Sequence, residues 1–297
     1  MDHLTAKPAT AQSLLIIDGM NLVRRVYEAN PAPDGAEKVD MAIRNSLGSF
    51  RRALREHPTT HAVAIFDNGG VTWRHQRYPD YKAGRKPIFP PLRQAMPAFW
   101  EMLNTQFGLR SVAHEGIEAD DIIATVANKW RERSAAPATV LSTDKDLLQL
   151  VPRDIQVWDH FTGEHRDETW VARKFGIKID QLIDYLALVG DDTDGIPGVA
   201  KVGPKTAVRL LEEHGTLAAI LGAAPTISTA LGRRLVEQAD RALLSYDLVQ
   251  LRFDSKVGLA WNDMVMSRRQ TPPPTGGALP YQPYRQTASP TSLRAAT

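Results

Sequence analysis

The sequence predicts an α/β protein built on a doubly wound parallel sheet, with a smaller helical region after it. Three short, largely apolar runs at 14–18, 62–67 and 139–144 each end in an aspartate, and their composition is typical of buried parallel strands. Between the first two runs, residues 41–56 carry apolar side chains at helical spacing. Strands that alternate with helices form parallel sheets with helices on both faces.

The second half of the chain changes to a helical pattern at about residue 169. Apolar spacing there predicts helices at 175–189, 205–214 and 230–250, with glycine and proline between them. The final stretch is rich in proline, contains arginine and lacks acids, which is typical of disorder. We therefore divide the chain into a flexible N-terminus (1–13), a sheet-containing domain (14–168), a helical subdomain (169–264) and a disordered basic tail (265–297).

Composition narrows the class of protein. The chain has 297 residues, 43% hydrophobic content, a formal net charge of +2 and no cysteine. The lack of cysteine excludes disulfides, thiolate metal ligands and a cysteine nucleophile. The sequence also lacks an apolar run of about 18 residues and a secretory signal at its start. We therefore expect a monomeric cytoplasmic protein without membrane segments, in which any metal ion binds oxygen or imidazole.

A cationic stretch interleaved with aromatic residues lies at 69–94. Its basic residues are Arg74, Arg77, Lys82, Arg85, Lys86 and Arg93, and its aromatic residues are Trp73, Tyr78, Tyr81 and Phe89. Only one acid, Asp80, stands among them. This composition fits contact with nucleic acid and fits a solvated loop with incidental aromatic residues equally well.

Acidic residues gather at three further places, 116–121, 142–146 and 190–195. Each group by itself has a simple structural explanation: helix capping, a strand-end turn or an Asp-rich turn. The three groups taken together have no such explanation. The carboxyl ends of parallel strands meet at one sheet edge, and the aspartates of the three strands lie at that edge as well. Like charges at this density repel one another strongly. The sequence therefore predicts a carboxylate cluster that requires cations.

Hard divalent cations with oxygen ligands would relieve this repulsion. Carboxylates without histidine or cysteine favour Mg²⁺ or Mn²⁺ over zinc, and Mg²⁺ suits sites that combine few carboxylates with water and substrate phosphate. Two such ions can activate water and stabilise the attacking and leaving oxygens of a phosphoryl displacement. The predicted chemistry is thus phosphodiester hydrolysis with two Mg²⁺ ions per site, for which Mn²⁺ can substitute.

Two motifs that suggest other functions fail on their spacing. Residues 198–206 resemble a phosphate-binding P-loop, but Pro204 precedes the lysine, removes an amide and breaks the spacing. Residues 192–195 resemble the start of an EF-hand loop without its other ligands or its closing glutamate. Residues 196–207 are better explained as two helices joined by a glycine turn, whose amides and lysines hold successive phosphates. A plain helical turn with a glycine cap is the alternative.

Six motifs together carry a family resemblance: Ile-Asp-Gly-Met-Asn (17–21), Phe-Asp (66–67), Tyr-Lys-Ala-Gly-Arg (81–85), Gly-Ile-Glu-Ala-Asp-Asp (116–121), Ser-Thr-Asp-Lys-Asp (142–146) and Gly-Asp-Asp-Thr-Asp-Gly-Ile-Pro-Gly (190–198). Across residues 14–251 the chain resembles the 5′ nuclease family, which comprises the nuclease domain of bacterial DNA polymerase I, phage 5′ exonucleases and stand-alone flap endonucleases. This resemblance implies a PIN-like parallel sheet flanked by helices, a helical arch and a C-terminal helix-three-turn-helix DNA-binding subdomain. A stand-alone branch of the exonuclease IX type is similar in length but lacks part of the second metal group.

The resemblance also assigns roles to individual residues. The first metal group is Asp18, Asp67, Glu118, Asp120, Asp121 and Asp144, and the second is Asp146, Asp191 and Asp194; all nine acids are present. Asp144 counts as catalytic together with Lys82 and Arg85, which match basic residues that steer the scissile phosphate onto the metals from the arch. Tyr81 is available for base stacking.

The segment that resembles the helix-three-turn-helix implies two further sets of residues. Contacts to DNA are expected from Gly198, Lys201, Gly203, Lys205 and Thr206, besides Tyr81, Lys82 and Arg85. In several relatives this segment holds a potassium ion through backbone carbonyls, which here would be those of Leu188, Val189, Pro197, Val199 and Val202.

The leading hypothesis is a structure-specific 5′ flap endonuclease and 5′-to-3′ exonuclease. It would act on DNA with 5′ flaps, branched duplexes or single-stranded 5′ ends, with replication or repair proteins as further partners. One alternative is a DNA-junction binding protein with a degenerate metal site, which the complete acid set disfavours. Another is a PIN-type ribonuclease, which would not need Lys82, Arg85 or the turn at 198–206.

Overall fold

A six-stranded sheet forms the centre of the protein in the computed structural model, which describes residues 12–266. The strands are β1 (Leu14–Asp18), β2 (His61–Ile65), β3 (Arg110–Val112), β4 (Ala138–Leu141), β5 (Gln156–Asp159) and β6 (Glu164–His165). Their order is β3-β2-β1-β4-β5-β6, with β6 antiparallel and the other neighbours parallel. The predicted α/β class is confirmed. Most of the predicted flexible N-terminus and of the predicted tail lies outside the described residues.

Helices cover both faces of this sheet. They are α1 (Gly19–Glu28), α2 (Ala36–Glu56), α3 (Trp73–Arg77), α4 (Pro90–Phe107) and α5 (Ala119–Ser134). Leu15 and Ile17 of β1 pack with α1, α2 and α4, whereas Leu14 and Ile16 pack with α5 and the helical region. Successive side chains of a strand point to opposite faces, so one apolar strand supplies both cores.

The strand order contains a switch point between β1 and β4. The chain builds β2 and β3 on one side of β1 and then places β4 and β5 on the other side. Crevices that bind ligands open at the carboxyl ends of strands where the order reverses in this way. Asp18 ends β1 and Asp144 follows β4, so both lie at this point.

The helical region consists of shorter helices than the sequence predicted. They are α6 (Glu168–Phe175), α7 (Leu182–Val189), α8 (Pro204–His214), α9 (Leu217–Ala223), α10 (Ala230–Glu237) and α11 (Ala239–Val249). The helix predicted at 175–189 is interrupted because Gly176 ends α6 in the left-handed conformation, at φ 74°. The helix predicted at 230–250 is interrupted at Gln238. No helix in the described part of the chain is long and apolar enough to cross a membrane.

The segment that carries Lys82 and Arg85 is not helical. Residues 79–84 form turns, and an irregular stretch then leads to Pro90 at the start of α4. The predicted helical arch is therefore wrong for this stretch. Pro87 lacks a backbone donor and Gly84 disfavours a helix, which accounts for the irregular backbone.

Two glycines allow the end of α7 and the following loop to pack back to back. Gly190 and Gly198 have φ values of 80° and 57°, in the left-handed region. A Cβ atom on Gly198 would lie 2.5 Å from the Gly190 nitrogen and 2.6 Å from the Val189 carbonyl carbon. Glycine is required at such a position. This contact fixes the direction in which the loop leaves α7.

We expect Gly198→Ala to lower the free energy of unfolding by at least about 1–3 kcal/mol, the usual cost of a left-handed residue other than glycine. The new methyl group would also overlap the backbone of Val189 and Gly190. Thermal unfolding followed by circular dichroism measures the loss. Gly48→Ala is the matched control, because Gly48 lies inside α2 with open space at its Cβ position, and this variant should be no less stable than the parent. Equal stability of both variants would contradict the close packing.

Candidate active site

Four aspartates line one small cavity at the carboxyl edge of the sheet. Asp18 ends β1, Asp67 and Asp144 follow β2 and β4, and Asp120 lies in the first turn of α5. The cavity has a volume of about 90 Å³. It is lined by Asp18, Met20, Asn21, Arg24, Arg25, Asp67, Lys82, Arg85, Asp120 and Asp144. The structure thus brings four of the predicted metal ligands together with the two predicted phosphate-steering residues.

Asp18 is held by hydrogen bonds from two sides of the cavity. It caps α1 by accepting a hydrogen bond from the Asn21 amide at 3.1 Å, and its other oxygen accepts one from the Ser142 hydroxyl at 2.7 Å. Burial raises the pKa of Asp18 to about 7; the charges of Asp144 and Asp67 add to this shift and the hydrogen bonds oppose it. The ionised form is therefore destabilised by its surroundings.

A second set of acids interacts with the first. Burial raises the pKa of Asp146 to about 8, and the negative charges of Asp144, Asp194 and Asp191 add to the shift. Asp191 behaves differently, because an ion pair and hydrogen bond with Lys145 outweigh burial and lower its pKa. The three acids of the predicted second metal group are thus close enough to act on one another and on Asp144.

The chemistry of this donor set fits divalent metal ions. Burial and the charges of Asp144 and Asp18 raise the pKa of Asp120 well above its ordinary value, so the acids oppose one another's ionisation. Within residues 12–266, no three His, Asp or Glu side chains have the spacing of a preformed metal site. A hard cation that keeps several waters does not require such a cage. The acids that could hold metal ions are Asp18, Asp67, Asp120 and Asp144, with Asp146, Asp191 and Asp194 beside them.

Glu118 lies at the rim of the carboxylate group and is paired with cations. Lys82 Nζ donates to Glu118 Oε2 at 2.7 Å, and the Thr72 hydroxyl donates to Oε1 at 2.8 Å. Although burial acts in the opposite direction, the charges of Lys82 and Arg74 lower the pKa of Glu118 to about 2. Lys82 has a left-handed backbone with φ 56°. Strain of this kind in a residue other than glycine clusters at functional sites.

Tyr81 supports Glu118 and does not face solvent. Its side chain is 3% exposed, and its hydroxyl donates to Glu118 Oε2 at 3.0 Å. The prediction that Tyr81 is available for base stacking is therefore wrong. Its role in the structure is to fix the carboxylate that Lys82 also contacts.

Asp121 belongs to a buried salt bridge with Arg74. Arg74 donates to both carboxylate oxygens at 2.8 and 3.0 Å, and Trp73 Nε1 and the Arg252 amide donate at 2.9 and 3.0 Å. A carboxylate has about four lone-pair sites, and these donors occupy them. Asp121 is also only 1% exposed. Its prediction as a metal ligand is wrong, since no oxygen remains for a metal ion.

Two arginines near the acids, Arg24 and Arg25, were not predicted from the sequence. Arg24 and Arg25 line the carboxylate cavity. A larger cavity of about 240 Å³ shares Arg24 with it and adds Lys86 and Arg93 to its lining. The helical spacing of Arg24 and Arg25 from Asn21 was the available signal, because residues three and four apart share one helix face.

The predicted DNA-binding loop precedes α8. Lys201 and Gly203 are exposed in this loop, Lys205 is exposed in the first turn of α8, and Lys201 has a left-handed φ of 62°. Thr206 is half-buried. Gly198 is buried, so its predicted contact with DNA is wrong and its role is the packing contact with α7.

Three of the five carbonyls predicted to bind potassium, those of Leu188, Pro197 and Val199, accept hydrogen bonds within the protein. The Val199 amide donates to the Leu188 carbonyl at 2.8 Å, and the Val202 amide donates to the Val199 carbonyl at 3.0 Å. Arg241 Nη2 donates to the Pro197 carbonyl at 3.0 Å. A guanidinium group therefore contacts one of the five carbonyls, that of Pro197, where the resemblance implies a potassium ion.

A PIN-like sheet with acids at its switch point, joined to a helical region with an exposed glycine and lysine loop, defines the class of 5′ nucleases. The chain belongs to the 5′-3′ exonuclease family. Residues 13–176 match the model of its N-terminal resolvase-like domain, and residues 177–272 match that of its C-terminal SAM fold. The protein is accordingly a nuclease with a mixed α/β domain followed by a SAM-like helical domain.

Known relatives and solved structures agree with this family. The flap endonuclease Xni of Shewanella sp. (strain ANA-3) is 39% identical over 259 residues, 87% of this chain and 97% of the relative. That of Psychromonas ingrahamii is 37% identical over 254 residues, 85% and 96% of the two chains. A zinc-bound T5 5′-exonuclease has a TM-score of 0.67 at 19% identity, over 80% of this chain and 89% of that chain. The catalytic core of Rad2 with DNA substrate has a TM-score of 0.52 at 12% identity, over 88% and 84%. At these identities the two structures share the fold with this chain.

Neighbouring aspartates of α5 should respond in opposite ways to neutralisation. We expect Asp121→Asn to lower the free energy of unfolding by about 3–5 kcal/mol, because it breaks a buried ion pair and leaves Arg74 without its charge partner. We expect Asp120→Asn to raise the melting temperature in EDTA, because it removes repulsion from Asp144 and Asp18. Calorimetry of both variants at neutral pH checks the pair. A lower melting temperature of Asp120→Asn in EDTA would contradict the repulsion of Asp120 by Asp144 and Asp18.

Stability in EDTA should fall as pH rises from about 6.5 to 8.5. Burial raises the pKa values of Asp18 and Asp146 in the folded state to about 7 and about 8, from an ordinary value of 3.8. Within this range the folded state keeps protons that the unfolded chain has already lost, so its stability falls as the pH rises and levels off once both acids have ionised in the folded state. The melting temperature across this range measures the effect. Asp146→Asn should reduce the slope, and an equal slope in that variant would exclude Asp146 as a cause.

Proposed function

We propose that this protein is a structure-specific 5′ flap endonuclease and 5′-to-3′ exonuclease that hydrolyses DNA phosphodiester bonds with divalent metal ions. The observation that carries this function is the cavity in which four aspartates from separate elements lie beside Lys82 and Arg85. Acids of this kind bind cations, and the adjacent basic side chains attract a phosphate. The same cavity can therefore bring both together.

Mg²⁺ is the proposed cofactor, at two ions per site, with Mn²⁺ as a substitute. Oxygen donors without histidine or cysteine support this choice. When bound, the ions supply an activated water and stabilise the oxygens of the displacement. The first group of ligands would be Asp18, Asp67, Asp120, Asp144 and the rim residue Glu118, and the second would be Asp146, Asp191 and Asp194. The T5 5′-exonuclease, which shares the fold, has been solved with divalent zinc ions.

The basic residues of this chain would bind and orient the scissile phosphate. Lys82 is tethered between Glu118 at 2.7 Å and Asp194 at 3.6 Å, and Arg85 lies 3.7 Å from Asp194. These acids hold the cations at the cavity mouth before DNA binds. At 3.7 Å the Arg85 guanidinium makes no hydrogen bond to Asp194, so it would gain hydrogen bonds by forming a bidentate pair with a phosphate.

The exposed loop before α8 would hold duplex DNA by its backbone. Lys201 and Lys205 flank Gly203, whose lack of a side chain lets a phosphate approach the main chain. Thr206 would donate its hydroxyl to the same phosphates. Contacts of this type position a duplex without reading its sequence.

The names of the relatives support the same activity. Eight similar bacterial proteins are called flap endonuclease Xni. Structures with the same fold include T5 D15 flap endonuclease and the Rad2 catalytic core, each in complex with DNA. Within this proposal the protein acts as a cytoplasmic monomer in DNA replication or repair, where other proteins of those processes are its partners.

Cleavage of a 5′-labelled flap duplex tests the function. We expect cutting near the flap base in Mg²⁺ and none in EDTA. Asp144→Ala should lower the rate by at least about 100-fold and leave flap binding nearly unchanged, because this carboxylate serves metal binding. Asp180→Ala, which changes an exposed acid in the helical region, is the control and should cut normally. Tight flap binding without cutting would indicate a junction-binding protein, and preference for single-stranded RNA would indicate a PIN-type ribonuclease.

The salt dependence of duplex binding tests the loop. Each lost phosphate contact lowers the slope of log K against log salt by about one unit, so Lys201→Ala should bind more weakly with a shallower slope. Fluorescence anisotropy across a salt series measures the slope. Lys174→Ala removes an exposed lysine of α6 and should retain the parent slope. An unchanged slope for Lys201→Ala would remove this lysine from the interface.

A further inference from the structure

One face of α11 binds the loop that follows α7. Gln238, Arg241 and Ser245 are spaced by three and four residues, which puts their side chains on the same side of the helix. Gln238 Oε1 accepts a hydrogen bond from the Ala200 amide at 2.8 Å, and Ser245 Oγ accepts one from the Gly198 amide at 3.0 Å. These two side chains therefore satisfy backbone donors of the loop.

Arg241 satisfies the backbone acceptors of the same loop. Its Nε donates to the Gly198 carbonyl at 2.9 Å, and its Nη2 donates to the Pro197 carbonyl at 3.0 Å. Its side chain is on the surface. In the described part of the chain, no carboxylate lies within 4.0 Å of this guanidinium. Its hydrogen bonds are thus directed to the loop carbonyls and not to an acid.

Carbonyls at this position attract positive charge. α7 ends at Val189, and the unsatisfied carbonyls at a helix C-terminus carry partial negative charge. The Pro197 and Gly198 carbonyls lie close to that end, because Gly198 packs against Val189 and Gly190. A monovalent cation can satisfy such a group of oxygens, and so can a guanidinium with several fixed donors. A potassium ion and a guanidinium are therefore alternatives at any carbonyl that both would use.

We propose that Arg241 takes the place of a bound potassium ion at this loop, so that the loop keeps its DNA-binding conformation without the ion. Arg241 is then a positioning residue, which acts on DNA through the backbone that carries Lys201 and Lys205. The proposal rests on the proposed function in one respect, since it assumes that this loop binds duplex DNA.

The test compares salts of equal ionic strength. Binding of a flap duplex in EDTA would be measured in potassium chloride and in choline chloride, whose cation is too large for a carbonyl site. We expect the unmodified protein to bind equally well in both. Arg241→Met should bind about tenfold more weakly in choline chloride, the loss expected for charge-assisted hydrogen bonds, and potassium chloride should restore most of that loss. Arg233→Met, which removes an exposed arginine of α10, is the charge-matched control and should show no difference between the salts.

Melting temperatures in the two salts provide a second measurement that needs no DNA. Arg241→Met should melt at a lower temperature in choline chloride than in potassium chloride, and the unmodified protein should melt at the same temperature in both. A potassium requirement in the unmodified protein would overturn the proposal. A loss in Arg241→Met that potassium does not restore would also overturn it, because Arg241 would then contact phosphate directly. An Arg241→Met variant that binds DNA and melts like the unmodified protein in both salts would overturn the proposal as well. Failure of the unmodified protein to bind flap DNA would count against the proposed function instead, and the melting temperatures would still test Arg241.

Discussion

The repulsion among carboxylates at the switch point is the constraint on which the rest of the site depends. The strand order places the ends of β1 and β4 side by side, and this order alone brings Asp18 and Asp144 close together. Asp120 joins them from the first turn of α5. Burial and mutual charge raise the pKa of Asp18 and Asp120, so part of the folding free energy is spent holding these acids together. Cations bound as proposed above would relieve this cost.

The basic residues divide the acids into a neutralised rim and an unpaired centre. At the rim, Lys82 pairs with Glu118 and Lys145 pairs with Asp191, and the pKa of each of these two acids is lowered despite burial. At the centre, Asp18 receives only the neutral hydrogen bonds described above, and its pKa is raised. The acids that lack a salt-bridge partner therefore lie at the point where the strands end, close to one another. Metal ions would be attracted to the centre, and the rim lysines would meet the phosphate.

The sheet and the gathering of the acids could be predicted from the sequence because they follow from general rules. Apolar runs that end in aspartate define parallel strands, and parallel strands deliver their ends to one edge. The direction of single side chains could not be predicted in this way. Asp120 and Asp121 are adjacent on α5, where neighbouring residues point about 100° apart, so only one can face the cavity. Which one does so depends on Arg74, which is 47 positions away along the chain from Asp121. Tyr81 was misjudged for the same reason, since its hydroxyl partner Glu118 lies far from it in sequence.

The same long-range arginine connects the two ends of the proposed mechanism. Arg74 donates to the Leu248 and Gln250 carbonyls at 2.8 Å each, while Asp121 accepts from the amide of Arg252. These groups lie at and just beyond the C-terminal end of α11, whose other end contacts the loop that we propose binds DNA, through Gln238 and Arg241. A helix rises about 1.5 Å per residue, so α11 is a rigid spacer of about 15 Å between the two contacts. Because this spacer is rigid, the place where the duplex binds determines where its backbone lies relative to the acids. A nuclease that recognises structure and not sequence needs this property, because the geometry of the branched DNA alone must select the bond that is cut.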